Sequence, residues 1–211
     1  MNKQVLEAMF ANIVANDPAR PVMNGVHFES ERTYASDGHI LVIYHEGSEQ
    51  LDGKTMSELG EEIEGRYPNV DGVFPKKENW GKEASFDIPQ LKKALAYYMK
   101  KETSTANDRV VMNGTCFMIK SLVRLLNTMT LVGDPKDIRF YSPERKSATV
   151  VTSKEMTCLI MPALYNDEDV DFVDENDIEC TKTLSYENLI NDFVFNGWKK
   201  PEPKTKLAWV A

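Results

Sequence analysis

The sequence predicts an α+β fold, because of the order in which its patterned segments occur. A helix followed by three strand-like runs comes first, and after a long connection a short strand, a helix, a strand, a second helix and three strands follow. Val22-Met23-Asn24-Gly25-Val26-His27-Phe28 also matches Val111-Met112-Asn113-Gly114-Thr115-Cys116-Phe117 at five of seven positions, an echo that points to two similar half-units.

Val5 to Asn16 carries Val5, Met9 and Ile13 on one face, with Ala8 and Phe10 beside them and Asp17-Pro18 beyond, which predicts a helix with a stop signal. Val22 to Phe28 reads as a strand, and Thr33 to Ala35 and Ile40 to Tyr44 as strand pieces around an Asp37-Gly38 bend. Residues 46–82 are rich in Gly, Glu, Lys and Pro and read as a long connection, with at most a short helix near Met56 to Ile63. Ala84 to Phe86 reads as a short strand. Asp87 is then a candidate N-cap, with Pro89 in the first turn of a helix running to about Lys101. Arg109 to Phe117 reads as a strand, Ile119 to Met129 as a helix, and Ile138 to Tyr141, Ser147 to Val151 and Thr157 to Met161 as strands.

Past Tyr165 the composition changes. Asn166 to Glu179 holds eight acids among fourteen residues and predicts a solvated, mobile linker. Leu184 to Trp198 is apolar again and predicts a short helix, and Lys199 to Lys206 reads as an extended basic exit. Leu189 to Phe195 sets aromatics near an aliphatic pair, which leaves two placements open: packing on the domain edge, or filling an apolar notch of the chain itself or of a neighbouring copy.

A chain of 211 residues, 42% hydrophobic, is long and apolar enough for a core, which excludes global disorder. Its apolar stretches fall short of a membrane span and its start does not read as a signal peptide, so a soluble cytoplasmic protein is expected, with no membrane partner. Cys116, Cys158 and Cys180 are odd in number and widely spaced, which predicts reduced thiols. The net charge of -8 is uneven: residues 1–165 carry -2 and residues 166–211 carry -6, so a basic face on the body remains compatible with the total.

Catalytic patterns are absent: there is no P-loop, GxGxxG, HExxH or GxSxG. His27, His39 and His45 lack neighbours in a metal pattern, and the alternating Asp167, Asp169 and Asp171 lack the Gly and terminal Glu of a calcium loop. No catalytic residue, metal ligand or cofactor is expected, and the chain reads as a binding protein.

Three punctuated signatures carry the functional information: Ser36-Asp37-Gly38-His39-Ile40-Leu41, Tyr67-Pro68-Asn69-Val70-Asp71-Gly72-Val73-Phe74-Pro75 and Cys158-Leu159-Ile160-Met161-Pro162-Ala163-Leu164. Each alone is ordinary turn or strand-end chemistry. In this order, with their flanks, they resemble the bacterial DNA sliding clamp, the β subunit of DNA polymerase III. The resemblance covers residues 1–165 in patches and leaves 166–211, the acidic linker and C-terminal extension, without a counterpart.

The resemblance implies a DNA-clamp-like α+β domain of pseudo-twofold half-units, with helices on one face of antiparallel sheets. It also implies a non-enzymatic processivity or tethering factor acting in DNA replication. The three signatures would converge on an apolar pocket for short peptide motifs of replication proteins, formed by Ser36, Gly38, His39, Leu41, Pro68, Val73, Leu159, Met161 and Pro162. Two departures stand out: the family carries Arg where this chain has Ile40 and again where it has Leu164. The chain is also short, about one domain's worth of sheet and helix, so a ring would need several copies as a homo-oligomer.

In clamp-like proteins the helices line the inner surface and offer cations to double-stranded DNA without reading sequence. Here the helix after Pro89 offers Lys92, Lys93, Lys100 and Lys101, opposite Leu91, Leu95 and Tyr98. The helix after Ile119 offers Lys120 and Arg124, opposite Leu122, Leu125, Leu126 and Met129. Two functional readings stay open: a clamp-like factor that also binds DNA, and a clamp-fold peptide-binding adaptor that does not encircle or bind it.

Overall fold

A computed structural model describes residues 2–143, 147–171 and 181–197. Helix α1 (Lys3–Asn12) begins where the Asn2 side chain accepts from the Gln4 N–H at 3.0 Å. It ends sooner than its periodicity predicts, because the chain folds back and the Ala15 N–H donates to the Met23 carbonyl at 3.0 Å. Pro21–Asn24 is a single 3-10 turn, so the expected strand starts late as β1 (Val26–Phe28). Strands β2 (Thr33–Ser36) and β3 (Ile40–Tyr44) flank the Asp37-Gly38 bend. No helix forms near Met56 to Ile63, where at most a short one is expected. Strand β4 (Thr55–Met56) stands there instead, and the chain doubles back through Gly60 at φ +79 so that Met56 bridges Glu62. That left-handed glycine is incompatible with a continuing helix.

Strand β5 (Lys82–Ala84) precedes helix α2 (Ile88–Tyr98), whose N-cap is Asp87, accepting from the Gln90 N–H at 2.9 Å. The single strand expected over Arg109 to Phe117 is a hairpin of β6 (Arg109–Met112) and β7 (Thr115–Met118). Asn113 and Gly114 both take positive φ, +49 and +76, the two-residue turn that Asn-Gly favours. At the echoed position Gly25 is extended, so the repeat is shared in letters and not in local conformation. Helix α3 (Ile119–Met129) has the predicted bounds and leads to β8 (Arg139–Ser142), β9 (Thr149–Thr152) and β10 (Met156–Ile160).

Eight strands form one sheet in the order β4-β1-β2-β3-β10-β9-β8-β5. Its pairings are antiparallel, and the seam joins two four-stranded halves where β3 meets β10 with Leu41 opposite Leu159. Side chains alternate across the seam. Ile40, Val42, Tyr44, Cys158 and Ile160 enter the core with Leu91, Leu95, Leu122 and Leu126 of the helices. Leu41, Ile43 and Leu159 point the other way and form a second apolar cluster with Tyr67 and Val70. Helices therefore cover one face, and the connection near residue 70 covers part of the other.

The C-terminal segment is part of this body. Strand β11 (Thr183–Ser185) runs parallel to β6, with Leu184 beside Val110, in a second sheet ordered β11-β6-β7. Helix α4 (Tyr186–Asn196) packs on α2 and buries Leu189 in the main core, while Asp192 pairs with Lys101 at 2.5 Å. Leu189 is thus committed to the domain edge and does not fill a notch elsewhere. The buried Asp108 carboxylate fastens this region. It accepts from the Lys182 N–H at 2.9 Å, the Tyr98 hydroxyl at 2.9 Å and both the N–H and hydroxyl of Thr105 at 2.7 and 2.8 Å. Residues 172–179 of the expected acidic linker, Cys180 and the basic exit lie outside the described residues. Among the described residues, no helix is long and apolar enough to cross a membrane.

Candidate functional site

The first signature forms a turn that holds itself. Asp37 Oδ1 accepts from the His39 and Ile40 N–H groups, both at 2.8 Å, and Ser36 Oγ accepts from the Gly38 N–H at 3.0 Å. Gly38 takes φ +90, and a Cβ there would lie 3.2 Å from Nη1 of Arg20. Arg20 is held over the turn by Asp17, which accepts from its Nε at 2.7 Å.

The second signature is fastened to the outer face of the sheet. The Tyr67 ring lies 5.2 Å from that of His27 and 5.3 Å from that of Tyr34. Arg32 donates to both Asp71 oxygens, at 2.6 and 2.9 Å, and to Glu29 at 2.5 Å, clasping this loop to the β1–β2 turn. The Arg32 guanidinium holds the Asp71 and Glu29 carboxyls below their ordinary range. Further along, Trp80 Nε1 donates to the Pro75 carbonyl at 2.9 Å.

The third signature continues the seam: the Met161 N–H donates to the His39 carbonyl at 2.8 Å, placing strand end against turn. The three segments surround a cleft of about 490 Å³. Of the nine residues expected there, Ser36, Gly38, His39, Leu41, Pro68, Val73, Leu159 and Met161 line it, and Pro162 does not. Beyond Met161 the chain leaves the cleft, because the Ala163 N–H turns to the Cys116 carbonyl at 2.8 Å. Val73 and Met161 are 55% and 44% exposed, large apolar side chains presented to solvent at this site.

Sequence reasoning missed Arg20, Met23, Ile40, Tyr67, Asn69, Val70 and Ala148, which also line the cleft. Tyr67, Asn69 and Val70 stood inside the second signature and were legible as its neighbours. Arg20 had no local signal, yet it brings a guanidinium, paired with Asp17, to the cleft.

The six cations expected on the helices divide in two, and Lys100 and Lys101 stand in the turn beyond α2, which ends at Tyr98, sooner than expected. Lys93, Lys100 and Lys120 are exposed. Lys92 donates to Thr130 Oγ1 at 2.5 Å, its ammonium held below its ordinary value by burial, and Lys101 is paired with Asp192. Arg124 donates from Nε to the Asn12 carbonyl at 2.5 Å and from Nη1 to Asp37 Oδ2 at 2.6 Å. Among the described residues no cluster of three or more His, Cys, Asp or Glu could hold a metal ion, and Cys116 and Cys158 are buried.

This architecture, two antiparallel half-sheets joined edge to edge with helices on one face, is the DNA sliding-clamp fold. The chain is similar to the β sliding clamp of C. crescentus, at 15% identity and a TM-score of 0.61, over 76% of this chain and 62% of that one. It is similar to the DnaN clamp of Bartonella birtlesii bound to griselimycin, at 11% identity and a TM-score of 0.61, over 77% of this chain and 64% of that one. The β subunit of Streptococcus pyogenes DNA polymerase follows at 12% identity and a TM-score of 0.60, over 78% and 65%. The chain spans less than two thirds of the length of these clamps. No family model matches the sequence, and no curated protein matches it.

Proposed function

We propose that this chain is a non-catalytic, sliding-clamp-like tethering protein of the cytoplasm that captures short apolar peptide segments of replication proteins in the cleft. The observation that carries the reading is the meeting of three signatures, near residues 40, 70 and 160, around one apolar cleft on the sheet face opposite the helices. Leu41, Leu159 and Val70 form a floor fixed by the sheet seam, Met161 supplies an adaptable wall, and Arg20 supplies charge at the turn. Such a site suits one or two large side chains of a peptide.

A capped dipeptide, N-acetyl-Leu-Phe-amide, titrated into the protein tests this. The wild type should bind it saturably, and Met161→Asp should abolish binding by placing a charge against the apolar guest. Failure of the wild type to bind overturns the reading.

DNA contact belongs to the same proposal in a narrower form. Lys93, Lys100 and Lys120 are the cations available to phosphate, and contact through them would be sequence-blind and salt-sensitive. A ring would require several copies meeting at the sheet edges β4 and β5. The second reading, a peptide adaptor without DNA, is favoured by the internal engagement of Lys92, Lys101 and Arg124 and by the net charge of -8. Light scattering over a concentration series separates the two: a strict monomer with no salt-sensitive retention on duplex DNA leaves the adaptor.

A further inference from the structure

Tyr67 lines the cleft at 6% exposure, and its hydroxyl is buried without a hydrogen-bond partner among the described residues. Buried hydroxyls are almost always paired, and a partnerless one in a ligand-sized cavity needs a reason. The position is not slack. The ring is held between His27 and Tyr34, and Pro68 restricts the backbone of Tyr67, the residue before it. The Ser36 N–H faces the phenolic oxygen outside hydrogen-bond geometry and is itself a donor, and among the described residues the hydroxyl proton has no acceptor.

We propose that the Tyr67 hydroxyl is the polar anchor of the cleft, donating to a backbone carbonyl of the bound peptide. The inference rests on the peptide-binding reading and adds to it a rule of selection. An apolar side chain seated on Leu41 and Leu159 brings its own carbonyl out of water, and a peptide carbonyl left unpaired there is penalised. A fixed donor removes that penalty for peptides and does nothing for hydrocarbon guests of the same size. Burial also holds the phenol neutral well past physiological pH, so it stays a donor.

Tyr67→Phe tests this, because it removes one oxygen and keeps the ring. The variant and the wild type are titrated with N-acetyl-Leu-Phe-amide and with isobutylbenzene, a carbonyl-free guest, and their melting temperatures are compared. The expected result is peptide affinity about tenfold weaker in the variant, unchanged isobutylbenzene affinity, and a melting temperature equal to or above wild type, since an unpaired buried hydroxyl has been deleted. Equal peptide affinity in the two proteins overturns the anchor and leaves the cleft's peptide role intact. A lowered melting temperature with both guests weakened equally assigns Tyr67 a structural role and also overturns it. No peptide binding by the wild type overturns both.

Discussion

Arg124 and Asp37 stand 2.6 Å apart, and their pairing joins helix α3, on one face of the sheet, to the turn that forms one lip of the cleft on the other. Both side chains are largely sheltered from solvent, at 26% and 14% exposure, and Asp37 uses its second oxygen to hold the His39 and Ile40 N–H groups. Arg124 also donates to the Asn12 carbonyl at the end of α1. It is therefore engaged as a positioning residue of the cleft rather than as a cation offered outward. Arg124→Ala should cost about 1–3 kcal/mol, by leaving a sheltered carboxylate and carbonyl unpaired. It should also weaken peptide binding several-fold while leaving DNA retention unchanged. Thermal unfolding beside a peptide titration checks both.

The exposed lysines make the opposite prediction. Lys93→Glu, Lys100→Glu and Lys120→Glu together should leave the melting temperature within a few degrees of wild type, because these side chains are solvated. If the helices meet duplex DNA, retention should fall and its salt dependence flatten. Retention that is unchanged, or absent in the wild type, places any function in the cleft alone.

Acid should loosen the cleft wall. Arg32 holds the Asp71 and Glu29 carboxyls below their unfolded values, so the folded state takes up protons less readily than the unfolded chain. The clasp contributes in full above the ordinary carboxylate range, about pH 4, and its contribution is lost as pH falls through the lowered folded-state values. Peptide affinity measured from pH 7 to pH 3 should therefore fall at the acid end, and Arg32→Leu should remove the part of that fall due to the clasp.

A single buried carboxylate helps to fasten the C-terminal element. Asp108 is 1% exposed and accepts from Lys182, Tyr98 and Thr105. Asp108→Ala strands these donors and should destabilise the fold by about 2–4 kcal/mol. Hydrogen exchange should quicken first in Thr183–Ser185, while the β3–β10 seam keeps its protection.

Local pattern made much of this fold readable. Ile119 to Met129 repeats leucines at helical spacing, and Asp87 with Pro89 marks a helix start; both stand where the sequence puts them. Strand β3 was legible from an unbroken apolar run, Ile40 to Tyr44, in which Ile40, Val42 and Ile43 are β-branched. What escaped was decided by distant partners. Strand β11 is three residues long and exists through parallel pairing with β6, over 70 residues earlier in the chain. The residues near Met56 read as part of a long connection with at most a short helix, but a glycine at positive φ and pairing with β1 make them an edge strand.

The site divides in the same way. The cleft floor was legible because the three signatures, taken together and in order, resemble the sliding-clamp pocket, whereas none of them alone marks it. Arg20 and the Asp37–Arg124 pair were hidden, since the first comes from an unmarked 3-10 entry and the second spans 87 residues of chain. Lys92, Lys101 and Arg124 looked alike with the exposed lysines on a helical wheel, and their partners on other elements set them apart.

Methyl NMR of the wild-type chain, titrated with N-acetyl-Leu-Phe-amide, tests the central claim most directly, because Leu41, Val73, Leu159 and Met161 come from three separate signatures. The account predicts that their methyl signals shift together along one saturating curve, with Val194 of α4 as an unmoved control. Signals that shift with different midpoints, or shifts centred on α4 with the cleft silent, would contradict it.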